Sequence, residues 1–174
     1  AAAYVGDNSF FGFTSPVAGQ RFRFEVSPTF GTLQFHTLLG DYRRYFLAQP
    51  LSFAFRGMHY GRYGRDAHGR ERLDDGTLGG YILSPLFLGY EPLIRGYSRE
   101  SFNPQRECVG GTAANQCPAF DRLVGTRIAV ANFELRIPLF GVPEYGLINF
   151  PIIPVEVSPF FDAGVAWDAG DSPT

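Results

Sequence analysis

The sequence contains no lysine, a single tryptophan, a single methionine and two cysteines in 174 residues. Without lysine, glycine-rich pieces such as Gly76–Gly80 cannot complete a phosphate-binding loop. Charged residues make up 18% of the chain, and the formal net charge of -2 is evenly spread. There is thus no basic tract for nucleic acid and no acidic tail. Long apolar runs are missing as well. The most apolar window, Leu147–Val157, is short and carries Pro151, Pro154 and Glu156, whereas a bilayer helix needs about 20 mostly apolar residues. A barrel strand is still permitted, because it needs only about 9–11 residues with every second side chain facing lipid. The Ala-rich start lacks a basic segment and a long apolar stretch, so no signal peptide is expected within the chain.

Catalytic patterns are absent too. His36, His59 and His68 are scattered and form no H-E-x-x-H spacing. Ser15, Ser84 and Ser101 lack a G-x-S-x-G context. Cys108 and Cys117 share one polar stretch with no nearby histidine, which is no recognisable zinc pattern. Two exposed thiols or a local disulfide are the remaining readings, and a disulfide suits an oxidising cell-surface compartment. Neither an enzyme site, a cofactor nor a metal is expected.

What is present points to β-structure: 18 Phe, 9 Tyr and 21 Gly suit strands, aromatic surfaces and tight turns. In Gln20–Val26, Arg21, Arg23 and Glu25 share one face while Phe22, Phe24 and Val26 share the other, as a half-wet strand requires. A turn is expected at Ser27–Gly31. Thr32–Phe46 reads as a second strand with Leu33, Phe35, Thr37 and Leu39 opposite Gln34 and His36. Leu51–Arg62 sets Leu51, Phe53 and Phe55 against Ser52, Ala54, Arg56, Tyr60 and Arg62. Its Gly57 and Gly61 suit either close packing inside a barrel or a bulge. Tyr63–Val124 breaks the rhythm, and an excursion this long is commonly functional or disordered. Thr126–Leu139 resumes it, with Ala129, Ala131, Phe133, Leu135 and Ile137 opposite Asn132, Glu134 and Arg136, and Pro138 closing the strand.

The clearest alternation is Val155–Asp168. Val155, Val157, Pro159, Phe161, Ala163, Val165 and Trp167 point one way; Glu156, Ser158, Phe160, Asp162, Gly164, Ala166 and Asp168 point the other. Trp167 falls where an interfacial aromatic girdle would lie. A soluble β-sandwich or lipocalin-like barrel binding a small apolar ligand is the alternative that the periodicity leaves open. The reading adopted is an all-β, antiparallel transmembrane β-barrel. About five spanning strands, with a further fragment at Ala1–Phe13, fall short of the even count of about eight or more in single-chain barrels. Open edges cannot sit in lipid. The expectation is an incomplete barrel segment over residues 1–174, or less readily a barrel closed by several chains.

Four motifs carry a family resemblance. Ile94-Arg95-Gly96-Tyr97 looks like a V-R-G-F/Y loop motif, entered through Phe87-Leu88-Gly89-Tyr90, which is similar to F-x-x-G-G. Asn132–Leu139 resembles an E-x-R-x-P strand, Pro159–Trp167 an F-x-D-x-G-x-x-W strand, and Thr14–Arg21 a P-x-x-G-x-R strand entry. In this order and spacing they resemble the barrel of the BamA/TamA outer-membrane assembly superfamily (bacterial surface antigen barrel). The departures are Ile94 for the usual valine and Gly89-Tyr90 for the usual Gly-Gly. The resemblance covers most of the chain and implies a C-terminal barrel portion ending before the final three strands.

That resemblance implies a long surface loop, about 63–124, folded into the lumen, and some members carry two nearby cysteines there, matching a Cys108–Cys117 disulfide. It makes Arg95 the centre of a loop-to-wall lock, with Glu134 and Asp162 as carboxylate partners, Arg136 and Glu156 extending the network, Gly96 supplying backbone freedom, and Phe160 packing on Tyr97 or the Arg95 stem. The alternative is a solvated Arg95 above a wet pore. The implied function is non-enzymatic protein insertion or translocation at the bacterial outer membrane. Its expected partners are outer-membrane lipid and lipopolysaccharide, nascent outer-membrane or secreted polypeptides, the missing strands and any upstream periplasmic domains. The competing function is a membrane anchor or export pore for an upstream propeller or hydrolase domain.

Overall fold

The structure, a computed structural model, describes residues 1–12, 14–68, 70–72, 78–81, 83–97, 120, 122–142, 144, 146–150 and 152–169. Its strands are β1 (Ala2–Asp7), β2 (Phe10–Phe11), β3 (Pro16–Thr29), β4 (Phe35–Ala48), β5 (Leu51–Tyr63), β6 (Arg70–Arg72), β7 (Leu78–Tyr81), β8 (Leu86–Phe87), β9 (Val124–Gly125), β10 (Arg127–Gly141), β11 (Ile148–Asn149), β12 (Val155–Val157) and β13 (Phe160–Trp167). The main sheet runs β1-β3-β4-β5-β10 and continues through β13 and β12, with long antiparallel pairings throughout; only the short β10–β11 pairing is parallel. β6–β7 and β8–β9 form two small ladders in the excursion between β5 and β10. Among the described residues β1 and β13 each pair on one side only, so the sheet is open, an all-β segment of a barrel rather than a closed one.

Register assigns every long strand two faces. One row crosses the sheet as Asp162, Asn132, Arg56, Arg43, Arg21 and Asp7. The next residue along each strand belongs to the opposite face, which carries Phe161, Phe133 and Phe55 in one row and Phe24 and Tyr4 in another. The face bearing the arginines is called inward here, since the excursion packs on it. The outward face has large exposed apolar side chains, among them Tyr4, Phe24, Phe55, Phe133 and Phe161. Burying one such ring is worth roughly 2–3 kcal/mol. A two-layer soluble sandwich would cover this face, and among the described residues no second layer does.

The strand parities match the alternation of Gln20–Val26, Leu51–Arg62, Thr126–Leu139 and Val155–Asp168, and the fragment at the start is a strand, β1. Several local expectations are corrected. β3 runs through Pro28 and Thr29 instead of turning at Ser27, because its ladder with β4 continues to Thr29 opposite Phe35. On β4, Leu39 pairs with Glu25 and Leu38 with Val26, so Leu39 and Thr37 face inward; the outward row is Leu38, Gly40, Tyr42, Arg44 and Phe46. Two adjacent leucines leave parity open locally, and pairing to β3 decides it. Gly57 and Gly61 lie on the outward face, beneath the rings of Phe55 and of Tyr63 and His59 respectively, so they do not make room for chain packed on the inward face. β10 continues past Pro138 to Gly141, with a register shift between Pro138 and Phe140. Ser158 and Pro159 interrupt the last strand, but its parity carries across, since Pro159 O still accepts from Leu135 N at 3.0 Å.

The buried core lies between the inward wall and the excursion. Met58, Ile128, Val130 and Ala166 from the wall enclose Leu88 and Ile94, with Leu39, Tyr60, Leu86, Leu93 and Leu123 around them. The run Ile128–Ala131 is apolar on both faces because its inward half is covered by chain and not by water.

Candidate functional site

The site is built where the segment Pro85–Tyr97 meets β10 and β13. Leu86 and Phe87 pair with Val124 and Gly125, and Leu88 N donates to Leu123 O at 2.9 Å, which anchors the entry. Gly89 then has to be glycine: a Cβ there would lie 1.7 Å from the Tyr97 carbonyl oxygen. A turn follows, with Leu93 N and Ile94 N both donating to Tyr90 O. Ile94 descends into the core, where its Cδ1 sits 2.5 Å from the position a Cβ would take at Gly164. The bare backbone of Gly164 therefore makes the seat for Ile94. Gly96 has φ +90°, a left-handed conformation that favours glycine.

Arg95, held between these two features, meets two strands at once. Its Nε and Nη2 donate to Asp162 Oδ2 and Oδ1, each at 2.8 Å, and its Nη1 donates to Glu134 Oε1 at 2.9 Å. The backbone N of Arg95 also donates to Asp162 Oδ2 at 3.1 Å. This is the bidentate fork that a guanidinium offers and an ammonium does not. The plane of Phe160 lies beneath, 3.5 Å from the Arg95 Cζ, a cation–π contact. Hydrogen bonding to Asp162 raises the Arg95 pKa above its ordinary value, against the opposing effect of burial, so the charge is retained. Only 4% of the Asp162 side chain is exposed.

Arg136 donates through Nε and Nη2 to Glu134 Oε2 at 3.1 and 2.8 Å, fixing the carboxylate that Arg95 shares. Its Nη1 reaches Pro16 O at 2.8 Å, tying β10 to the start of β3. Glu156 does not extend this network. It accepts from Thr14 Oγ1 at 2.8 Å and Ser15 Oγ at 2.9 Å, because it lies further along the wall, level with Pro138. Tyr97 is half exposed, and the ring of Phe160 is taken by Arg95. Cys108 and Cys117 lie outside the described residues.

Several participants were not singled out by motif. Asn132 Nδ2 bridges Leu93 O at 2.7 Å and Asp162 Oδ1 at 2.9 Å. Arg56 forks onto Asp41 at 3.1 and 2.8 Å, shares it with Arg43, and donates to Pro92 O. Arg62 Nη1 donates to Ser84 O at 2.6 Å. Backbone carbonyls of the excursion are thus gripped by wall side chains at three places along its descent. Their sequence signal is faint: inward parity identifies Asn132, Arg56 and Arg62 as wall residues, but nothing local names their partners. A cavity of about 220 Å³ remains between excursion and wall, lined by Arg43, Tyr45, Arg56, Leu93, Arg95 and Arg136 among others.

A family model described as the Omp85 superfamily domain matches residues 7–173. The chain belongs to the Omp85 superfamily. This agrees with the resemblance to BamA/TamA-like barrels, and it makes the chain a member of a family of outer-membrane protein insertion and translocation. The matched range spans β2 through β13 and includes the whole Arg95 site. Neither the curated proteins nor the solved structures searched give a match.

Proposed function

We propose that residues 1–174 form part of a C-terminal outer-membrane barrel wall in a bacterial protein insertion or translocation factor, with the excursion at about 63–124 held in the lumen by Arg95. The observation that carries this reading is the Arg95 fork, which joins the excursion to carboxylates on two adjacent strands behind an outward apolar face. An exposed ion pair would be worth little. A guanidinium with a bidentate carboxylate, a second carboxylate and an aromatic floor is a structural clasp, its charges committed to one another. The proposed role is therefore non-enzymatic: the wall templates or conducts nascent outer-membrane or secreted polypeptides, and the clasp sets the position of the excursion inside it.

The test is reconstitution of the full-length protein in outer-membrane lipid vesicles, with insertion of an unfolded outer-membrane client followed over time. Arg95→Ala is expected to slow client insertion while the barrel itself still resists unfolding in unheated gel samples. Client insertion at the wild-type rate with the excursion freely cleaved by protease would overturn the proposal and favour a passive anchor or export pore.

A further inference from the structure

Near the end of the sheet where the excursion leaves, the outward face carries a compact polar cluster. Gly61, Arg127 and Trp167 are aligned on three adjacent strands. His59 stacks on Trp167 with ring centroids 5.7 Å apart, and its Nε2 is 2.6 Å from the Tyr63 hydroxyl. The Arg127 Cζ lies 4.3 Å from the centre of the Tyr63 ring. A Cβ on Gly61 would be 2.9 Å from Tyr63 Cε2, 3.0 Å from His59 Nε2 and 3.2 Å from Arg127 Cγ. The missing side chain lets these three fold together into one platform.

Arg127 is the unusual member. Its Nε donates to Arg62 O at 3.3 Å, which fixes the plane of the guanidinium. No hydrogen bond or carboxylate partner among the described residues takes its terminal nitrogens. This differs from Arg43, Arg56 and Arg136 on the inward face and Arg95 on the excursion, each of which forks onto a carboxylate. On β10 the outward row below Arg127 is apolar: Ala129, Ala131, Phe133, Leu135 and Ile137. Arg127 is thus placed at the border between an apolar band and a polar zone, beside a tryptophan and a tyrosine, the residues that favour a membrane–water boundary.

We infer that this platform binds the phosphoryl group of an anionic lipid in the leaflet next to the excursion, with the Arg127 terminal nitrogens forking onto phosphate oxygens and Trp167 and Tyr63 packing along the adjoining sugar or acyl base. The inference rests on the membrane-wall reading above. A guanidinium at that border needs an anion, and phosphate oxygens match its fork. Lipid phosphate is also what such a boundary supplies in quantity.

The test uses the full-length protein inserted in vesicles of digalactosyl diacylglycerol, a phosphate-free host, with and without bis-phosphorylated lipid A. Native mass spectrometry then reads the lipid retained after gentle extraction. The wild-type protein is expected to retain lipid A over its dephosphorylated form. Arg127→Gln should lower that retention about tenfold, the equivalent of one lost charge-assisted contact, while Arg127→Lys, which keeps the charge but not the fork, should give a value between the two. Arg44→Gln, another outward arginine next to an aromatic ring, should leave it unchanged. Equal retention by Arg127→Gln, an equal loss in Arg44→Gln, or displacement of lipid A by the same concentration of inorganic phosphate would each overturn the inference. If Arg127→Gln does not fold, a failure of Arg127→Lys to prefer lipid A over its dephosphorylated form overturns it instead. A wild-type protein that does not enter the galactolipid bilayer at all would defeat the membrane-wall reading itself.

Discussion

Arg95 reaches two carboxylates because its neighbours leave it no other course: Ile94 is sunk in the core and Gly96 reverses the backbone at φ +90°. Removing the guanidinium strands Asp162, whose side chain is 4% exposed, with Asn132 and one backbone N–H as its remaining donors. Arg95→Ala is expected to weaken docking of the excursion by about 2–3 kcal/mol, less than for a fully buried pair because a third of the Arg95 side chain stays wet. A double-mutant cycle with Asp162→Ala, read by protease protection of residues 83–97, should return a coupling of about 1–3 kcal/mol. Independent, additive losses would show that the two side chains do not act together. Arg95, Glu134 and Asp162 were legible in the sequence because each sits in a motif with a fixed neighbour pattern. Asn132 and Arg56 were not, since their partners on the excursion are backbone carbonyls 39 and 36 residues away. A carbonyl carries no residue signature.

At the scale of elements, β13 and the excursion fit through an absence of volume. A Cβ at Gly164 would meet Ile94 Cδ1 at 2.5 Å, Ala129 O at 3.1 Å and Leu88 Cδ2 at 3.2 Å. Gly164→Ala should therefore push the excursion outward and lose about 1–3 kcal/mol of docking, as overpacked cores do. Ile94→Val removes the atom in closest conflict and should recover much of that loss in the double variant. Hydrogen exchange of the Leu88 and Ile94 amides checks both steps, and no recovery would mean that the conflict lies with the β10 backbone instead. The strands themselves were legible where apolar and charged residues strictly alternate, as in β3, or where one face is an unbroken apolar row, as Phe161, Ala163, Val165 and Trp167 are in β13. β4 was misread at Leu38-Leu39, because two equal side chains in succession carry no phase information. The gap between β12 and β13 falls at Ser158-Pro159, where proline has no amide to give to β10, although its carbonyl still accepts from Leu135 N.

The whole molecule is a sheet with two unlike sides, and that asymmetry yields a direct test. Ala131→Arg places a charge in the middle of the outward apolar row and should cost about 2–4 kcal/mol in lipid, the range for a charge near the midplane of a barrel wall. Ala3→Arg places the same charge inward, opposite Glu25, and should be nearly neutral. Denaturant unfolding of both variants in lipid vesicles checks the difference; equal costs would mean that the outward face does not meet hydrocarbon. Alternation is a local property, since successive Cβ atoms on a strand point to opposite faces whatever the rest of the chain does. For that reason the sequence alone determined the all-β class, the parity of β3, β5, β10 and β13 and the apolar outward stripe. Long-range pairing decided the rest: the phase of β4 through its ladder with β3, the outward position of Gly57 and Gly61, the attachment of Glu156 to Thr14 and Ser15, and the landing point of Arg95 on Asp162, 67 residues along the chain. Those outcomes depend on hydrogen-bond register and on space left by missing side chains, and both exist only once distant segments are brought together.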